Sequence, residues 1–186
     1  NVGFSRDGTV YVYWTYGVFD GSGFSHAELN VVSTLTGRRN EAESRQLILE
    51  EASEPKAALQ RLKAQEARRL KALGFGQDPG TELYRSGTAT RTSFTVDGRA
   101  ARLIVDVHKG QLDPETNTAQ DRIRVILEMG AGRQTLHVGS GGWGFSLNSV
   151  RLSADHRSLA VLLRHSTRGF EGPNRRFLCT AGRLPR

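Results

Sequence analysis

Apolar and polar positions alternate along most of the chain, and this pattern predicts antiparallel β-strands. Residues 10–16 and 27–34 are rich in β-branched and aromatic side chains, which are typical of strands. The glycine-rich segment between them is longer than a tight hairpin needs, so we expect a structured loop tip. Four later segments also alternate and predict strands: residues 88–96, 102–108, 122–129 and 134–138. The dipeptide Asp97-Gly98 predicts a tight hairpin turn between the first two of these, and residues 112–120 predict a polar loop.

The pattern changes in residues 40–76, where charged residues, Leu and Ala predominate. Pro55 is well placed at the start of a helix, and the leucines fall on one face at helical spacing. Gly74 and Phe75 predict a Schellman end, because glycine readily takes the left-handed conformation that follows the last turn. We therefore predict a helix over residues 55–73. The preceding residues 45–51 fit either a strand or a short helix.

One motif occurs near both ends of the chain. A Ser-x-Asp turn (Ser5 to Asp7, and again Ser153 to Asp155) precedes a strand, a loop, a second strand and a Gly-Arg pair. An internal repeat of this kind constrains the fold, and the two copies could pair into one sheet that links the termini. The motif resembles half a blade of a TolB-like or WD-type β-propeller, although the chain is too short for four four-stranded blades. The copies differ where His156 replaces Gly8.

Together these patterns predict an α+β fold that is mostly antiparallel β, with one long amphipathic helix inserted after the first hairpin. We expect a single domain over residues 1–186. Its parts are a first hairpin (1–39), a helical insertion (40–76), central antiparallel strands (84–150) and a second, Arg-rich hairpin (151–186).

A longer set of residues resembles an uncharacterised bacterial family of predicted secreted proteins (domain of unknown function 2259). The matching strings are residues 3–8, 16–24 with Ala27 and Glu28, and 169–173 with Arg175, Arg176 and residues 180–184. The resemblance covers both ends and is weak over residues 84–150. It implies a cleaved signal peptide and a secreted or periplasmic location, but no activity. The start at Asn1 fits either a removed signal peptide or a trimmed sequence.

Positive charge is concentrated at the C-terminal end. The net charge is +7, and the 151–186 segment contributes +6 of it, from eight Arg against Asp155 and Glu171. Such asymmetry favours an anionic partner, which could be nucleic acid, an acidic polysaccharide or a membrane surface. No apolar run is long enough to span a bilayer. Arg abundance throughout the chain leaves open that these arginines are simply solvated.

Arginine forks bind phosphate and carboxylate groups, and aromatic rings stack on bases. The candidate anion- or nucleic-acid-binding residues are Arg164, Arg168, Phe170, Arg175, Arg176 and Arg183. We expect Arg164 and Arg176 to project outward from neighbouring strands as a basic stripe, with Phe177 in the core beside Cys179. Trp143 is a candidate stacking residue for a sugar or base.

No motif in the sequence identifies a reaction. Residues 139–144 match G-x-G-x-x-G, but the following residues predict a strand rather than the helix that a dinucleotide site requires. The five histidines and Cys179 have no zinc-ligand spacing, and we expect neither a metal nor a cofactor. We also expect no catalytic residues, although a hydrolase assembled from distant residues remains a third alternative.

The leading interpretation is a non-enzymatic, extracytoplasmic binding or interaction module with a basic C-terminal face suited to an anionic partner. The alternative is a DNA- or RNA-binding protein, single-stranded or non-specific, that uses the Arg-rich C-terminal region. A cytoplasmic location would apply if no signal peptide precedes Asn1.

Overall fold

The computed structural model describes residues 3–19, 21–52, 54–75, 78–85, 87–113, 118–169 and 173–185. Its elements, in chain order, are β1 (Gly3–Phe4), β2 (Val10–Val18), β3 (Phe24–Ser33), β4 (Arg45–Ala52), α1 (Pro55–Ala72), β5 (Thr81–Arg85), β6 (Arg91–Val96), β7 (Arg99–His108), β8 (Leu112–Asp113), β9 (Thr118–Ala119), β10 (Arg122–Met129), β11 (Gly132–Ser140), β12 (Trp143–Leu152), β13 (Ser158–Arg168) and β14 (Pro173–Arg183). This composition confirms the predicted α+β fold with mostly antiparallel β structure.

The strands form three four-stranded antiparallel sheets. The first sheet has the spatial order β1-β2-β3-β4, the middle sheet β14-β13-β12-β5, and the third sheet β11-β10-β7-β6. The small β8-β9 ladder lies within the segment predicted as a polar loop. The strand β5 was absent from the sequence prediction. It is short and its residues are exposed or half-buried, so its sequence pattern gives little sign of a strand.

The three sheets and the helix are layered, and each contact between layers has its own apolar core. The helix covers one face of the first sheet through Ala58 and Leu62, which pack on Ala27, Leu29 and Val31. The opposite face of the first sheet packs on the middle sheet through residues such as Phe4, Tyr11 and Cys179. Alternate residues of the middle sheet point the other way and form the largest core against the third sheet, including Leu159, Val161 and Leu163.

The helix confirms the sequence prediction, with its last residue one position earlier than predicted. It begins at Pro55 and ends at Ala72, and Leu73 is its C-cap. The backbone N–H of Phe75 donates to the Leu70 carbonyl at 2.9 Å, and that of Gly74 donates to the Lys71 carbonyl at 3.0 Å. With Gly74 at a φ of 74°, these two bonds define a Schellman end. Residues 45–51, left open between strand and helix, belong to the strand β4.

The two Ser-x-Asp turns have matching hydrogen bonds. In the first, the Ser5 hydroxyl donates to Asp7 at 2.6 Å and accepts the Val10 N–H at 3.0 Å. In the second, Ser153 donates to Asp155 at 2.6 Å and accepts the Ser158 N–H at 2.9 Å.

The two turns also share a left-handed backbone position. It is occupied by Gly8 (φ 65°) in the first turn and by His156 (φ 55°) in the second. The imidazole of His156 lies 2.6 Å from an Asp97 carboxylate oxygen. This contact helps hold a residue that has a side chain in a conformation that favours glycine.

The two terminal hairpins do not pair into one sheet, so that expectation is wrong. β2 and β3 lie in the first sheet, whereas β13 and β14 lie in the middle sheet. The hairpins pack face to face, and their turns meet at the Gly8 carbonyl, which accepts hydrogen bonds from Thr34 and Ser158 at 2.8 Å each. Apolar side chains at this end of both hairpins favour stacking over edge pairing, because stacking buries them. The resemblance to propeller blades remains a prediction.

Candidate anion-binding cleft

The first and middle sheets separate at the end opposite the two turns, and a cleft opens between them. Residues from β2, β3 and the start of β14 line a cavity of about 240 Å³. We call it the arginine–aromatic cleft, and its lining residues are Thr15, Tyr16, Phe19, His26, Glu28, Arg175, Arg176 and Phe177. Since the cavity is below the usual range for a drug-sized ligand, it suits one sugar ring, one base or one anionic group.

His26 forms one wall of the cleft. Its ring stacks on Phe19 with centroids 4.2 Å apart, and it lies over Gly17, where a Cβ atom would come within 3.2 Å of the imidazole. The side chain is almost fully buried, and its Nδ1 has no hydrogen-bond partner among the described residues. Burial and the charge of Arg176 lower the pKa of His26 below its ordinary value of 6.5, although the Glu28 carboxylate opposes this shift. The neutral form of the ring therefore predominates at pH 7.

Arg176 lies between two histidines that belong to different sheets. Burial lowers the pKa of His165 as well, and the guanidinium of Arg176 adds to that effect despite an opposing backbone interaction at Ser166. Because β14 is an edge strand, Arg176 can act on His165 of its own sheet and on His26 of the first sheet. The Arg176 guanidinium is thus a fixed positive charge beside two imidazole rings that are mainly uncharged. This arrangement favours a negatively charged ligand.

One acidic residue, Glu28, also lines the cleft. Its carboxylate accepts hydrogen bonds from Thr15 and from Gln46, each at 3.3 Å. With Arg175 and Arg176, the lining carries two positive charges and one negative charge. Since the Glu28 oxygens already have donors, the arginines remain the groups available to an incoming anion.

The strand register shows that Arg164 and Arg176 do not form a single stripe. Arg164 lies opposite Phe177, and Arg176 lies opposite His165. Paired residues of an antiparallel ladder share a face and successive residues alternate, so Arg164 and Arg176 point to opposite faces. The residues that share the Arg164 face are Arg168, Arg175 and Phe177.

Phe177 lies outside the core, contrary to the prediction. It shares a face with buried Cys179, but it is 40% exposed because the first sheet has separated from the middle sheet at this point. Alternation predicted the correct face of the strand. It could not predict where the covering sheet ends.

The remaining candidate residues lie elsewhere. The guanidinium of Arg164 donates to the Gly87 carbonyl at 3.3 Å, and Arg168 lies exposed at the end of β13. Arg183 is at the other end of β14, where it donates to the Asp7 carbonyl at 3.4 Å. Trp143 is half-buried on β12, opposite Ser166, and does not line the cleft. Phe170 lies outside the described residues.

Sequence reasoning missed the half of the cleft that the first hairpin provides. The residues of the first hairpin that line the cleft include Tyr16, Phe19 and His26, and no concentration of charge marks them. The only sequence feature that could have indicated a site is the presence of aromatic residues beside a glycine-rich loop. They come close to Arg175 and Arg176 only because the two hairpins stack in separate sheets.

The fold and the cleft together define an α+β protein of stacked antiparallel sheets with a small basic, aromatic cleft between its terminal hairpins. Residues 12–183 match the model of the family described as predicted secreted protein (DUF2259). The chain belongs to this family, in agreement with the resemblance noted from its sequence. No curated protein and no solved structure matched the chain.

Membrane-spanning helices and metal-binding clusters are both absent from the part of the chain that the structure describes. The described residues contain no helix with the length and apolar character needed to cross a membrane. Within the same residues, no group of three or more His, Cys, Asp or Glu side chains is arranged to hold a metal ion.

Proposed function

We propose that this protein is a non-enzymatic, extracytoplasmic binding module that holds one unit of an anionic polymer in the arginine–aromatic cleft. The observation that carries the proposal is that Arg175 and Arg176 line one cavity together with Phe19, His26 and Phe177. Arginine binds sulfate, phosphate and carboxylate groups through its paired N–H donors. Aromatic rings beside it can cover the flat face of a sugar or base.

The exposed arginine next to the cleft extends the same surface. Arg168 follows Arg175 on one face of the β13-β14 pair, where side chains on diagonal positions lie about 7–8 Å apart. A polymer with one sugar or nucleotide unit in the cleft could therefore place its next charged groups against the face that carries Arg168 and Arg175. Membership in a predicted secreted family favours an acidic polysaccharide as the polymer.

Single-stranded nucleic acid is the second candidate, and it rests on the exposed ring of Phe177. Phe177 is 40% exposed and follows Arg176 in β14. Stacking of a base on such a ring contributes about 1–3 kcal/mol by alanine substitution. If stacking dominates, Phe177→Ala weakens binding to oligo(dT) more than it weakens binding to a heparin oligosaccharide.

The test compares binding of a heparin oligosaccharide and of oligo(dT) to three proteins by titration calorimetry. These are the wild type, Arg175→Gln/Arg176→Gln, and the control Arg122→Gln/Arg124→Gln. The control removes two exposed arginines from β10 in the third sheet, so it has the same net charge as the cleft variant. We expect the cleft variant to bind at least about tenfold more weakly than the control, since each charge-assisted contact contributes about 1.5–3 kcal/mol.

Two results would count against the proposal. If the wild type binds neither polymer at low salt, the cleft does not hold an anionic polymer. If both double variants lose the same affinity, attraction to the whole basic protein accounts for binding and the cleft has no special part in it.

A further inference from the structure

A second and larger cavity lies beside the C-terminal end of the helix. Its volume is about 670 Å³, which is within the usual range for small-molecule sites. It lies between the helix end, the first Ser-x-Asp turn and the edge of the first sheet, and it shares no lining residue with the arginine–aromatic cleft. We call it the helix-end pocket.

Apolar side chains form the floor of the helix-end pocket. Val10 and Val31 come from the first sheet, and Leu70, Leu73 and Phe75 come from the helix and its Schellman end. Leu73 is 49% exposed even though it follows the apolar face of the helix. The Schellman bonds at Gly74 and Phe75 fix the backbone next to this leucine, which forms the solvent-exposed edge of the floor. Filling the pocket would remove its side chain from water.

The charges around the rim cancel. Arg6 and Arg69 line the pocket together with Asp7 and Glu43. Arg69 is already paired, because its guanidinium contacts Glu66 at 2.6 Å and also the carboxylate of Glu43. Asp7 accepts hydrogen bonds from Ser5 and Thr9 within its own turn. A charged ligand would therefore meet both signs at the rim and gain little from either.

The rim also carries a neutral hydrogen-bonding group. The backbone of Asn40 is held by its bond to the Val31 carbonyl at 2.7 Å. Its side-chain amide is exposed, and it has no hydrogen bond within the described residues. An amide can both donate to and accept from a hydroxyl group.

We propose that the helix-end pocket binds an uncharged amphiphile that has an aliphatic body and a hydroxyl end. The body lies on the floor formed by Val31, Leu70, Leu73 and Phe75, and the hydroxyl meets Asn40 at the rim. The pocket's balanced charge separates this ligand class from the anionic polymer proposed for the cleft. The two proposals can therefore fail independently.

The test uses 1-octanol and 1-hexanol as probes, followed by chemical shifts of backbone amides in ¹⁵N NMR spectra. We expect saturable shifts at Val31 and at residues 70–75. Octanol should bind about tenfold more tightly than hexanol, because two further methylenes enter the apolar floor. Octanoate and octylamine should bind no more tightly than octanol, because the rim offers no net charge to either.

The substitution Leu73→Ser tests the floor without disturbing a buried residue. We expect it to weaken octanol binding about fivefold, in line with the loss of part of a leucine contact. The matched control is Leu35→Ser, since Leu35 is 69% exposed and does not line the pocket. Absence of saturable shifts with octanol overturns the proposal, as does an equal loss in both variants. Tighter binding of octanoate than of octanol overturns the assignment to an uncharged ligand.

Discussion

The Gly8 carbonyl joins the two terminal hairpins, and a double-mutant cycle can measure that link. The carbonyl accepts one hydrogen bond from Thr34 and one from Ser158, both at 2.8 Å. Thr34 belongs to the end of the first hairpin, and Ser158 begins β13 in the middle sheet. Both residues and Gly8 are buried. The single changes Thr34→Val and Ser158→Ala each remove one donor and leave the other.

The two single variants should lose little stability, and the double variant should lose more than their sum. Each single change removes one hydrogen bond, which contributes about 1 kcal/mol to the free energy of unfolding. The double change removes both donors and leaves a buried carbonyl without a partner, at a further cost of about 1–3 kcal/mol. We therefore expect a coupling energy of about 2 kcal/mol.

Urea unfolding followed by circular dichroism gives the four free energies of unfolding in this cycle. The control cycle combines Ser158→Ala with Thr180→Val. Thr180 donates to the Leu136 carbonyl at 3.0 Å and, more weakly, to that of Gly37, so it shares no acceptor with Ser158. We expect the control changes to add within about 0.5 kcal/mol. Additivity in the Thr34–Ser158 cycle would refute the view that one carbonyl links the hairpins.

Three further predictions concern local structure. Hydrogen bonds from Ser5 and Thr9 lower the pKa of Asp7 to about 2, so its carboxylate stabilises the fold above the unfolded pKa of 3.8 and this stability disappears as the pH falls towards 2. Asp7→Asn should thus lose less stability than the wild type in urea titrations over that range, and an equal loss would contradict this. Gly74→Ala should lower the free energy of unfolding by about 1 kcal/mol, since an L-residue is unfavourable at φ 74°; an unchanged urea midpoint would contradict it. Burial raises the pKa of the Cys179 thiol, so it should react with a thiol reagent only on unfolding, whereas fast labelling of the native protein would argue against its burial.

Local features of this fold followed from the sequence because each depends on a few neighbouring residues. The helix and its Schellman end follow from leucine spacing and from Gly74. The hairpin turn follows from Asp97 and Gly98, which both have positive φ. The glycine-rich bend before β12 leads into a strand, as predicted, and at Gly142 a Cβ atom would lie 2.3 Å from the Ser166 carbonyl oxygen.

The features of the fold and of the cleft that could not be predicted from the sequence depend on how the sheets pack against each other. No local pattern separates two hairpins that pair at their edges from two that stack face to face. The same limit explains the error at Phe177, whose exposure depends on where the first sheet ends. It also explains why Arg175 and Arg176 could be selected from charge alone, while His26 and Phe19, on the opposite wall, could not.

The salt dependence of polymer binding tests the proposed cleft most directly. Each arginine that releases a counterion from a single-stranded polyanion contributes about 0.7 to the slope of log affinity against log salt concentration. If Arg175 and Arg176 both contact the polymer, Arg175→Gln/Arg176→Gln should lower that slope by about 1.4 for oligo(dT), while Arg122→Gln/Arg124→Gln leaves it unchanged. A slope that is the same in the wild type and the cleft variant would contradict the proposal that the arginine–aromatic cleft binds the anionic polymer.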